Sequence, residues 1–422
     1  MLFPDRIRNQ TKELSELLTV RNKDFSELLK KAEEKDAERK QLKTEYDNIA
    51  AESNKTAKLI GQLYKEGKQQ EAGQAKQKAT DLKNDLKGLN EKLKTVKDEL
   101  TELLLDIPNI PHPSVPAGKT DEDNELIRTG GPEIKDFEGK PHWDLAVDYD
   151  IIDFEAGNKI TGAGFPVFKG KGAKLQRALI NFFLREAEKE GYTEIVPPLM
   201  VNEASGLGTG QLPDKEGQMY EMKEDKLYMI PTAEVPLTNL YRDTIIKEDE
   251  LPIKMCGYSA CFRREAGSYG KDVRGLNRLH QFDKIEIVQI ARPEMSYKTL
   301  DDMVSYVEGL LVKLELPYRI VRLCGGDLGF TSALTFDFEV WSAGQQKWLE
   351  VSSVSNFESF QANRLKLRYK GNDNKGTQIP HTLNGSALAL PRIIAALLEN
   401  NQTDTGITIP EVLREFTGFQ KI

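Results

Sequence analysis

The sequence predicts an α+β protein in which an antiparallel hairpin of two coiled-coil helices precedes an antiparallel sheet flanked by helices. Two observations support this fold class. Apolar residues between 28 and 103 recur in alternating steps of three and four, which is the heptad repeat of a coiled coil. The later strand-like runs lack the regular alternation with crossover helices that builds a parallel sheet, so an antiparallel sheet is favoured.

The two N-terminal helices are predicted from their heptad spacing. The run from Leu28 to Leu63 keeps this spacing although several of its seam positions are polar. Gly67 lies between the runs and can supply a turn, so the helices are expected to pack antiparallel. At about 1.5 Å per residue, each would be roughly 55–60 Å long. The second run is cleaner, with seam residues Ala75, Ala79, Leu82, Leu86, Leu89, Leu93, Val96, Leu100 and Leu103.

Charge is unevenly distributed along the chain. The whole sequence carries a net charge of −8, which by itself argues against a nucleic-acid partner. Between residues 55 and 97, however, eleven lysines stand against five acidic residues, a net charge of +6. A charged helical hairpin is most often a solvated or dimerising coiled coil. A basic one also suits binding a nucleic-acid backbone by charge and shape.

A proline-rich stretch follows the hairpin. Pro108, Pro111, Pro113 and Pro116 exclude helix and mark a stiff connector. We therefore divide the chain into a helical arm, residues 1–106, a linker, residues 107–135, and a globular domain, residues 136–422.

Composition excludes several classes of protein. With 30% charged residues, no long apolar run and no signal peptide, the chain is expected to be soluble and cytoplasmic, without a membrane partner. The three cysteines and four histidines lack metal-ligand spacing, so neither disulfides nor zinc are expected.

The globular domain is predicted to begin with an amphipathic helix at 172–192, followed by a strand, EIVPPLMV, at 194–201. Proline is tolerated in a strand only at an edge or a special contact. The remaining elements are a strand hairpin at 252–290, a helix at 294–314, strands within 318–324, 334–343 and 348–357, and a closing segment at 383–400.

Arg263, Arg264 and Glu265 lie between the two strand-like runs of that hairpin, directly before a glycine-rich loop. Charges at the mouth of a surface hairpin are ordinary. An arginine held on a rigid strand also offers a planar, always-charged fork to a phosphate oxygen. The sequence contains no Walker motif and no GxGxxG after a strand, so any nucleotide site must be built in another way.

Further polar clusters each have an ordinary structural explanation: a helix N-cap, the solvent face of a strand, a turn, or the polar side of a helix. Their occurrence together favours a functional site. They are Thr232-Ala233-Glu234, Glu350 with Ser352 and Ser353, Asn384-Gly385-Ser386, and Arg392.

Over essentially its whole length, the sequence resembles the seryl-tRNA synthetases, which are class II aminoacyl-tRNA synthetases. Motif 2 matches as CFRREAGSYGKDVRGLNRLHQFDKIE, motif 3 as LNGSALALPRIIAALLEN, and motif 1 as the helix and strand ending EIVPPLMV. Further signatures of the family are GTGQLP at 208–213, IPTAE at 230–234 and LEVSSVSNF at 349–357.

The resemblance implies a class II catalytic domain that activates L-serine with ATP to seryl-adenylate. Serine is then transferred to the 3′-terminal adenosine of tRNA(Ser), and of tRNA(Sec) where present. It also implies Mg²⁺ accompanying ATP, no zinc, a homodimer, and an arm that reaches the long variable arm of the tRNA. One subunit's arm would serve tRNA held at the other's active site.

The resemblance also assigns residues. Arg263 would bind the α-phosphate, Arg392 the γ-phosphate, and Phe282 the adenine. Arg263, Glu350 and Arg392 are the expected catalytic residues, and Glu350 with Ser353 would hold Mg²⁺. The expected ATP site comprises Arg263, Arg264, Glu265, Phe282, Glu350, Val351, Ser352, Ser353 and Arg392. The expected serine pocket comprises Thr232, Ala233, Glu234, Arg263, Glu286, Asn384 and Ser386.

The sequence departs from the family at Ala387 and Pro391 in motif 3, and at Gly164 and Pro166 before motif 1. A prolyl residue before Arg392 fits the first turn of a helix.

Three rival interpretations are disfavoured. A paralogue without aminoacylation would be expected to lose triphosphate or serine contacts. Class II enzymes for threonine, proline, glycine or histidine usually carry a C-terminal anticodon-binding domain, for which too few residues follow motif 3. A coiled-coil nucleic-acid-binding or scaffold protein leaves Arg263, Glu286, Glu350 and Arg392 without a role.

Overall fold

The computed structural model describes residues 1–134, 137, 139–265, 274–371 and 376–422. The chain forms two compact units, one of Met1–Thr19 and Lys23–Pro108, the other of Val20–Asn22 and Asn109–Ile422. The glycine-rich loop predicted after Glu265 lies, from 266 to 273, outside the described residues. Among the helices that the structure describes, none is long and apolar enough to cross a membrane.

The first unit is helical and confirms the predicted hairpin. Its helices are α1 (Pro4–Leu18), α2 (Ser26–Lys65) and α3 (Gln69–Leu105). Ion pairs join Lys35 to Glu99 and Glu52 to Lys78, so α2 and α3 run antiparallel. Gly67, between them, has a φ of 76°, a left-handed conformation that glycine adopts without steric cost.

The hairpin seam follows the predicted heptads in α3 but not throughout α2. In α3 the predicted positions from Leu82 to Leu100 include most of the buried residues, and the last buried residue is Leu104 rather than Leu103. In α2, Leu29 is buried in place of the predicted Leu28. Because α1 also packs on α2, the start of α2 is covered over a wider face than a two-helix seam would cover.

A buried carboxylate lies in the N-terminal third of α2. Asp36 is fully buried and pairs with Arg8 of α1 and with Arg39 one turn further along α2. A buried carboxylate needs such partners to offset its loss of hydration. The pair with Arg8 therefore fixes the position of α1 against α2.

The second unit contains the remaining helices and all strands of the described residues. The helices are α4 (His142–Asp148), α5 (Phe154–Ile160), α6 (Gly170–Lys189), α7 (Glu203–Thr209), α8 (Glu234–Asn239), α9 (Ser296–Lys313), α10 (Ser359–Arg364), α11 (Leu390–Asn400) and α12 (Glu411–Thr417). The strands are β1 (Glu125–Gly130), β2 (Ile152–Asp153), β3 (Val167–Phe168), β4 (Thr193–Glu194), β5 (Met200–Asn202), β6 (Glu221–Met222), β7 (Leu227–Met229), β8 (Ile245–Lys247), β9 (Ile253–Phe262), β10 (Gln281–Ala291), β11 (Tyr318–Arg322), β12 (Leu334–Ser342), β13 (Lys347–Asn356), β14 (Arg368–Lys370), β15 (Thr377–Gln378), β16 (His381–Ala389), β17 (Gln402–Thr403) and β18 (Gly406–Ile407).

An eight-stranded sheet organises this unit, in the order β1-β11-β12-β13-β16-β10-β9-β4. Its strands pair antiparallel, as predicted, except that the edge strand β4 runs parallel to β9. Helices α6, α9 and α11 pack on the sheet. Phe183, Val307 and Ile393 of these helices share one apolar core with Ile287 and Val354 of the sheet.

The single strand predicted at 194–201 is wrong. Strand β4 ends at Glu194 and β5 begins at Met200, and the two belong to different sheets. Pro197 and Pro198 lie between them. Since proline has no N–H to donate to a ladder, two in succession interrupt strand pairing.

Candidate active site

Four adjacent strands of the large sheet, β13, β16, β10 and β9, carry most of the predicted site residues. Residues 350–353 belong to β13, Asn384 and Ser386 to β16, and Phe282 and Glu286 to β10. Arg263 follows the end of β9 directly. Thr232 and Ala233 precede α8, Glu234 begins it, and Arg392 lies in the first turn of α11.

Glu234 lies at the first position of α8 with a fixed hydrogen-bond partner. Gln361 of α10 donates to Glu234 Oε1 at 2.6 Å. The Gln361 amide cannot rotate freely, because its Oε1 accepts from the Thr382 hydroxyl at 2.7 Å. Burial and the neighbouring Glu286 raise the pKa of Glu234 to about 7. Ala233 is fully buried, and the Thr232 hydroxyl accepts the Glu234 N–H at 3.3 Å.

Glu286 forms a second buried carboxylate of the site. Lys284, two residues earlier on β10, places its Nζ 2.5 Å from Glu286 Oε2. Ser386 stands directly opposite Glu286 in the β10–β16 ladder, and its hydroxyl lies 3.4 Å from the same carboxylate oxygen. Asn384, two residues from Ser386 on β16, lies on the same face of that strand and is half-buried.

Arg263 lies near Glu234 and Glu286 and is held there by its own backbone and side chain. Its N–H donates to the His280 carbonyl at 2.9 Å, which continues the β9–β10 pairing by one residue. The guanidinium lies 5.2 Å from the Phe282 ring centroid, and Nε donates to the Pro231 carbonyl at 3.4 Å. This restrained arginine therefore borders both the aromatic ring and the residues that precede Glu234.

Arg264 and Glu265, which follow Arg263, contact different residues. Arg264 is exposed, and its N–H donates to the Gln218 carbonyl at 2.8 Å. Glu265 Oε2 lies 3.0 Å from Arg278 Nε. Glu265 therefore holds an arginine that lies four residues before Phe282, on the far side of the loop outside the described residues.

Arg392 is anchored by backbone carbonyls of two separate segments. Its Nε donates to Asn277 O at 2.9 Å and its Nη1 to Glu350 O at 2.6 Å. Pro391 lies in the first turn of α11, as predicted. The Arg392 guanidinium thus connects α11, which belongs to motif 3, with Asn277 at the end of the motif 2 loop and with Glu350 of β13.

A β-bulge aligns the polar side chains of β13. Asp337 of β12 pairs with Ser353 and Phe338 with Ser352, but Glu339 pairs with Glu350, which leaves Val351 as the extra residue. The bulge brings Glu350 to the face that Ser353 occupies, whereas simple alternation would separate them. The Ser353 hydroxyl accordingly lies 3.4 Å from Glu350 Oε1.

The other two residues of this run face the protein interior. Val351 is buried in the main core. The Ser352 hydroxyl donates to Ser386 O at 2.5 Å, which connects β13 to β16 at the residue opposite Glu286. Both are therefore placed to shape the backbone of the site rather than to offer a free side chain to a ligand.

Asp337 of β12 lies on the same face of the sheet as Glu350 and Ser353, and it was not among the predicted site residues. It is 9% exposed, and its Oδ1 is buried without a hydrogen bond from any described residue. Burial and the charge of Glu350 raise its pKa well above the ordinary value, although a hydrogen bond with Ser353 acts in the opposite direction.

The side of β13 that carries Glu350 and Ser353 has the oxygen ligands that suit Mg²⁺ bound together with a nucleotide. Mg²⁺ is usually held by one or two carboxylates together with substrate phosphates and water. Glu350 and Ser353 offer such oxygens, and the unpartnered oxygen of Asp337 adds negative charge beside them. Within the described ranges no group of three or more His, Cys, Asp or Glu side chains could hold a metal alone.

Lys284, Gln361 and Asp337 were missed from the sequence. The signal for Lys284 was available, since a lysine two residues from Glu286 on one strand shares its face. Gln361 and Asp337 gave no such signal, because each reaches its partner across different elements.

Gly164 explains one departure from the family pattern. It has a φ of 83°, and a Cβ there would lie 2.4 Å from His280 Cδ2. The His280 ring stacks on Phe165 at 5.3 Å and meets the Tyr220 hydroxyl at 3.0 Å. Glycine at 164 therefore allows the His280 ring, directly before β10, to pack against the backbone of residue 164.

Comparison with known proteins agrees with this architecture. Residues 218–401 match the model of the tRNA synthetase class II core domain (G, H, P, S and T), and residues 1–111 match the seryl-tRNA synthetase N-terminal domain. The serine–tRNA ligase of Salinibacter ruber is 49% identical over 100% of this chain and 99% of its own length. That of Clostridium tetani is 45% identical, with 99% of each chain covered.

Among solved structures, the seryl-tRNA synthetase from Pyrococcus horikoshii complexed with ATP superposes with a TM-score of 0.92. It is 33% identical, and the match covers 100% of this chain and 99% of that one. Since these relatives match from end to end at 45–49% identity, the chain belongs to the seryl-tRNA synthetase family of class II aminoacyl-tRNA synthetases.

Proposed function

We propose that the site described above activates L-serine with ATP and passes it to the 3′-terminal adenosine of tRNA(Ser). The observation that carries this assignment is the position of Arg263. Its guanidinium lies over Phe282 and its Nε reaches Pro231, next to Thr232 and Glu234. An α-phosphate bound by Arg263 would therefore lie between an aromatic platform for adenine and a carboxylate-lined pocket for the amino acid.

In the first step a serine carboxylate oxygen attacks the α-phosphorus of ATP and forms the acyl–phosphate bond of seryl-adenylate. The bond from the α-phosphorus to the bridging oxygen breaks, and pyrophosphate leaves with the electron pair. The carboxylate is ionised at neutral pH and needs no general base. Arg263 and Arg392 supply fixed positive charge at the two ends of the triphosphate.

Glu350 and Ser353 are the residues proposed to hold Mg²⁺, with Glu265 and the exposed Arg264 completing the nucleotide site. When bound, the cation would neutralise charge on the phosphate oxygens. In the second step a ribose hydroxyl of the tRNA 3′ end attacks the carbonyl carbon of the adenylate. The ester forms, the acyl–phosphate bond breaks, AMP leaves with the electron pair, and the proton of the ribose hydroxyl passes to the phosphate or to solvent.

Serine selection is assigned to buried polar groups. We assign the serine hydroxyl to Glu286, whose Oε2 already meets the Ser386 hydroxyl and Lys284 Nζ. Alanine would not supply the hydrogen bond that the serine hydroxyl gives this carboxylate, and a site built to hydrogen-bond a hydroxyl rejects such an analogue by roughly 10⁴-fold or more. The extra methyl of threonine must be excluded by crowding.

The remaining partners are proposed on family grounds. The basic surface of residues 55–97 would bind the long variable arm of tRNA(Ser), and of tRNA(Sec) where present. A homodimer in the cytoplasm is proposed. Its dimeric state is supported by exposed apolar side chains on and around the motif 1 segment, at Val196, Leu199 and Met200. Light scattering would report twice the chain mass of 47.6 kDa for a dimer.

The test is ATP–pyrophosphate exchange with purified protein, with serine, threonine and alanine compared. We expect serine-dependent exchange, and loss of a transition-state charge donor in Arg263→Ala should lower kcat/KM by about 10²–10³-fold. Arg6→Ala, an exposed arginine of α1, is the matched control and should exchange normally.

Two outcomes would count against the proposal. Exchange that proceeds equally with alanine would remove Glu286 from hydroxyl recognition. Absence of exchange with every amino acid in a folded protein would mean that these residues do not form a working activation site, as in a paralogue that has lost aminoacylation.

A further inference from the structure

We propose that Asp337 is a positioning residue of the divalent-cation site: it accepts the hydroxyl hydrogen of Ser353, so that Ser353 Oγ can turn a lone pair towards the cation held with Glu350. The inference rests on the cation site assigned above and extends it to a residue on the neighbouring strand β12.

The register of the sheet brings these groups together. Asp337 is the direct cross-strand partner of Ser353, and the bulge at Val351 brings Glu350 to the same face. The face thus presents one hydroxyl between two carboxylates. The Ser353 hydroxyl lies 3.4 Å from Glu350 Oε1, and Asp337 stands directly opposite Ser353 on the neighbouring strand.

Binding of a cation changes what the serine hydroxyl needs. Once Glu350 gives its oxygens to the metal, it no longer serves Ser353 as a hydrogen-bond acceptor. A hydroxyl that donates a lone pair to a metal keeps its hydrogen, and this hydrogen needs an acceptor of its own. Asp337 is placed to provide it, as outer carboxylates do for metal-bound imidazoles.

The second oxygen of Asp337 points to the same role. Oδ1 is buried and receives no hydrogen bond from the described part of the chain. The neighbouring arginines are already engaged, since Arg319 pairs with Glu339 and Arg392 lies at Glu350. A buried acidic group without a counter-cation is unfavourable for the fold. A divalent cation on this face would supply the missing positive charge.

The experiment measures how strongly a cation strengthens nucleotide binding. Calorimetry gives the dissociation constant of adenosine 5′-(α,β-methylene)triphosphate, which cannot be cleaved at the α,β position, in EDTA and in Mn²⁺. The ratio of the two constants is the strengthening. For Asp337→Leu, we expect this ratio to fall about tenfold or more, as it does when other residues that orient a metal ligand are replaced. The constant in EDTA should stay near that of the unaltered protein.

Three further variants decide the interpretation. Asp327→Asn removes a nearby exposed charge whose partner is Asn124, and it should keep the full strengthening. Glu350→Gln should lose it. Asp337→Asn keeps an acceptor oxygen and should show an intermediate ratio. Its unfolding temperature should equal or exceed that of the unaltered protein, because a buried charge has been removed, so it replaces Asp337→Leu should that variant misfold.

The outcomes separate this inference from the function on which it rests. If Glu350→Gln loses the strengthening and both Asp337 variants retain it, Asp337 has no part in the site and the inference is wrong. An equal loss in Asp327→Asn would reduce the effect to general charge and also overturn it. If Glu350→Gln retains the strengthening, the cation site itself has been assigned to the wrong residues.

Discussion

At Glu234 a single carboxylate combines burial, a neighbouring negative charge and a fixed donor. Gln361 occupies Oε1, and burial together with Glu286 raises the pKa of Glu234 to about 7. A raised pKa means that the group is neutral below about pH 7 and ionised above it. Serine brings an ammonium group, which is attracted to this pocket most strongly when Glu234 is charged.

We therefore predict that the KM for serine in pyrophosphate exchange rises as the pH falls from 8 to 6, by about tenfold per pH unit once the pH is below the pKa. Glu234→Gln should have a high serine KM that no longer changes over this range. The KM for ATP is the internal control and should change much less. A serine KM that is flat in the unaltered protein would show that Glu234 does not titrate there.

A buried histidine–glutamate pair links α4 and α11 to the end of the motif 2 loop. The Leu276 N–H donates to His142 Nε2 at 2.8 Å, so the Nδ1 of the neutral ring carries the proton and donates to Glu399 Oε1 at 2.7 Å. Burial opposes ionisation of Glu399, but hydrogen bonds from His142 and Ser342 lower its pKa. The residue after Leu276 is Asn277, whose carbonyl holds Arg392.

This chain of contacts predicts an effect of His142 on ATP rather than on stability alone. His142→Ala should raise the KM for ATP by about 10- to 100-fold at 25 °C, because misplacing a charged group by about 1 Å costs this much. His142→Gln retains a donor and an acceptor and should recover part of the loss.

His381→Ala is the matched control for this prediction. It removes a half-buried histidine that contacts Ser296 rather than the motif 2 loop. It should lower the unfolding temperature without changing the KM for ATP. If His142→Ala also lowers only the unfolding temperature, His142 has a structural role and does not position Arg392.

Local sequence patterns predicted the secondary structure around the site better than the contacts between its elements. Heptad spacing predicted α2 and α3, and alternation predicted β9, which Arg263 follows, and β10, which contains Glu286. The bulge at Val351 was not predictable, because it depends on pairing with a second strand. The pair of His142 and Glu399 joins residues 257 positions apart in the chain. Partners of this kind are determined by tertiary packing, which local patterns do not contain.

The first unit carries a strongly basic segment, residues 55–97, in a protein whose net charge is negative. On α3 the exposed lysines Lys83, Lys87 and Lys94 follow one another at spacings of four and seven residues, which places them along one side of the helix. Such a row fits the regular phosphates of an RNA helix, and each phosphate that a lysine neutralises releases bound counterions.

We predict that replacing these three lysines by alanine weakens binding of tRNA(Ser). The slope of log K against log salt should become shallower by about 0.7–0.9 for each phosphate that a lysine no longer neutralises. Filter binding from low to moderate salt measures both quantities. The control replaces Lys12, Lys30 and Lys31, exposed lysines outside the 55–97 segment, and should leave the slope unchanged.

Serine-dependent pyrophosphate exchange requires no RNA, so it tests the second unit independently of tRNA binding. It should be normal in both triple variants, because activation is assigned to the second unit alone. If the Lys83, Lys87 and Lys94 variant binds tRNA with an unchanged slope, this side of α3 does not contact phosphates. If exchange falls as well, the substitutions have disturbed the fold of the chain, and the loss of tRNA binding would not locate the RNA surface.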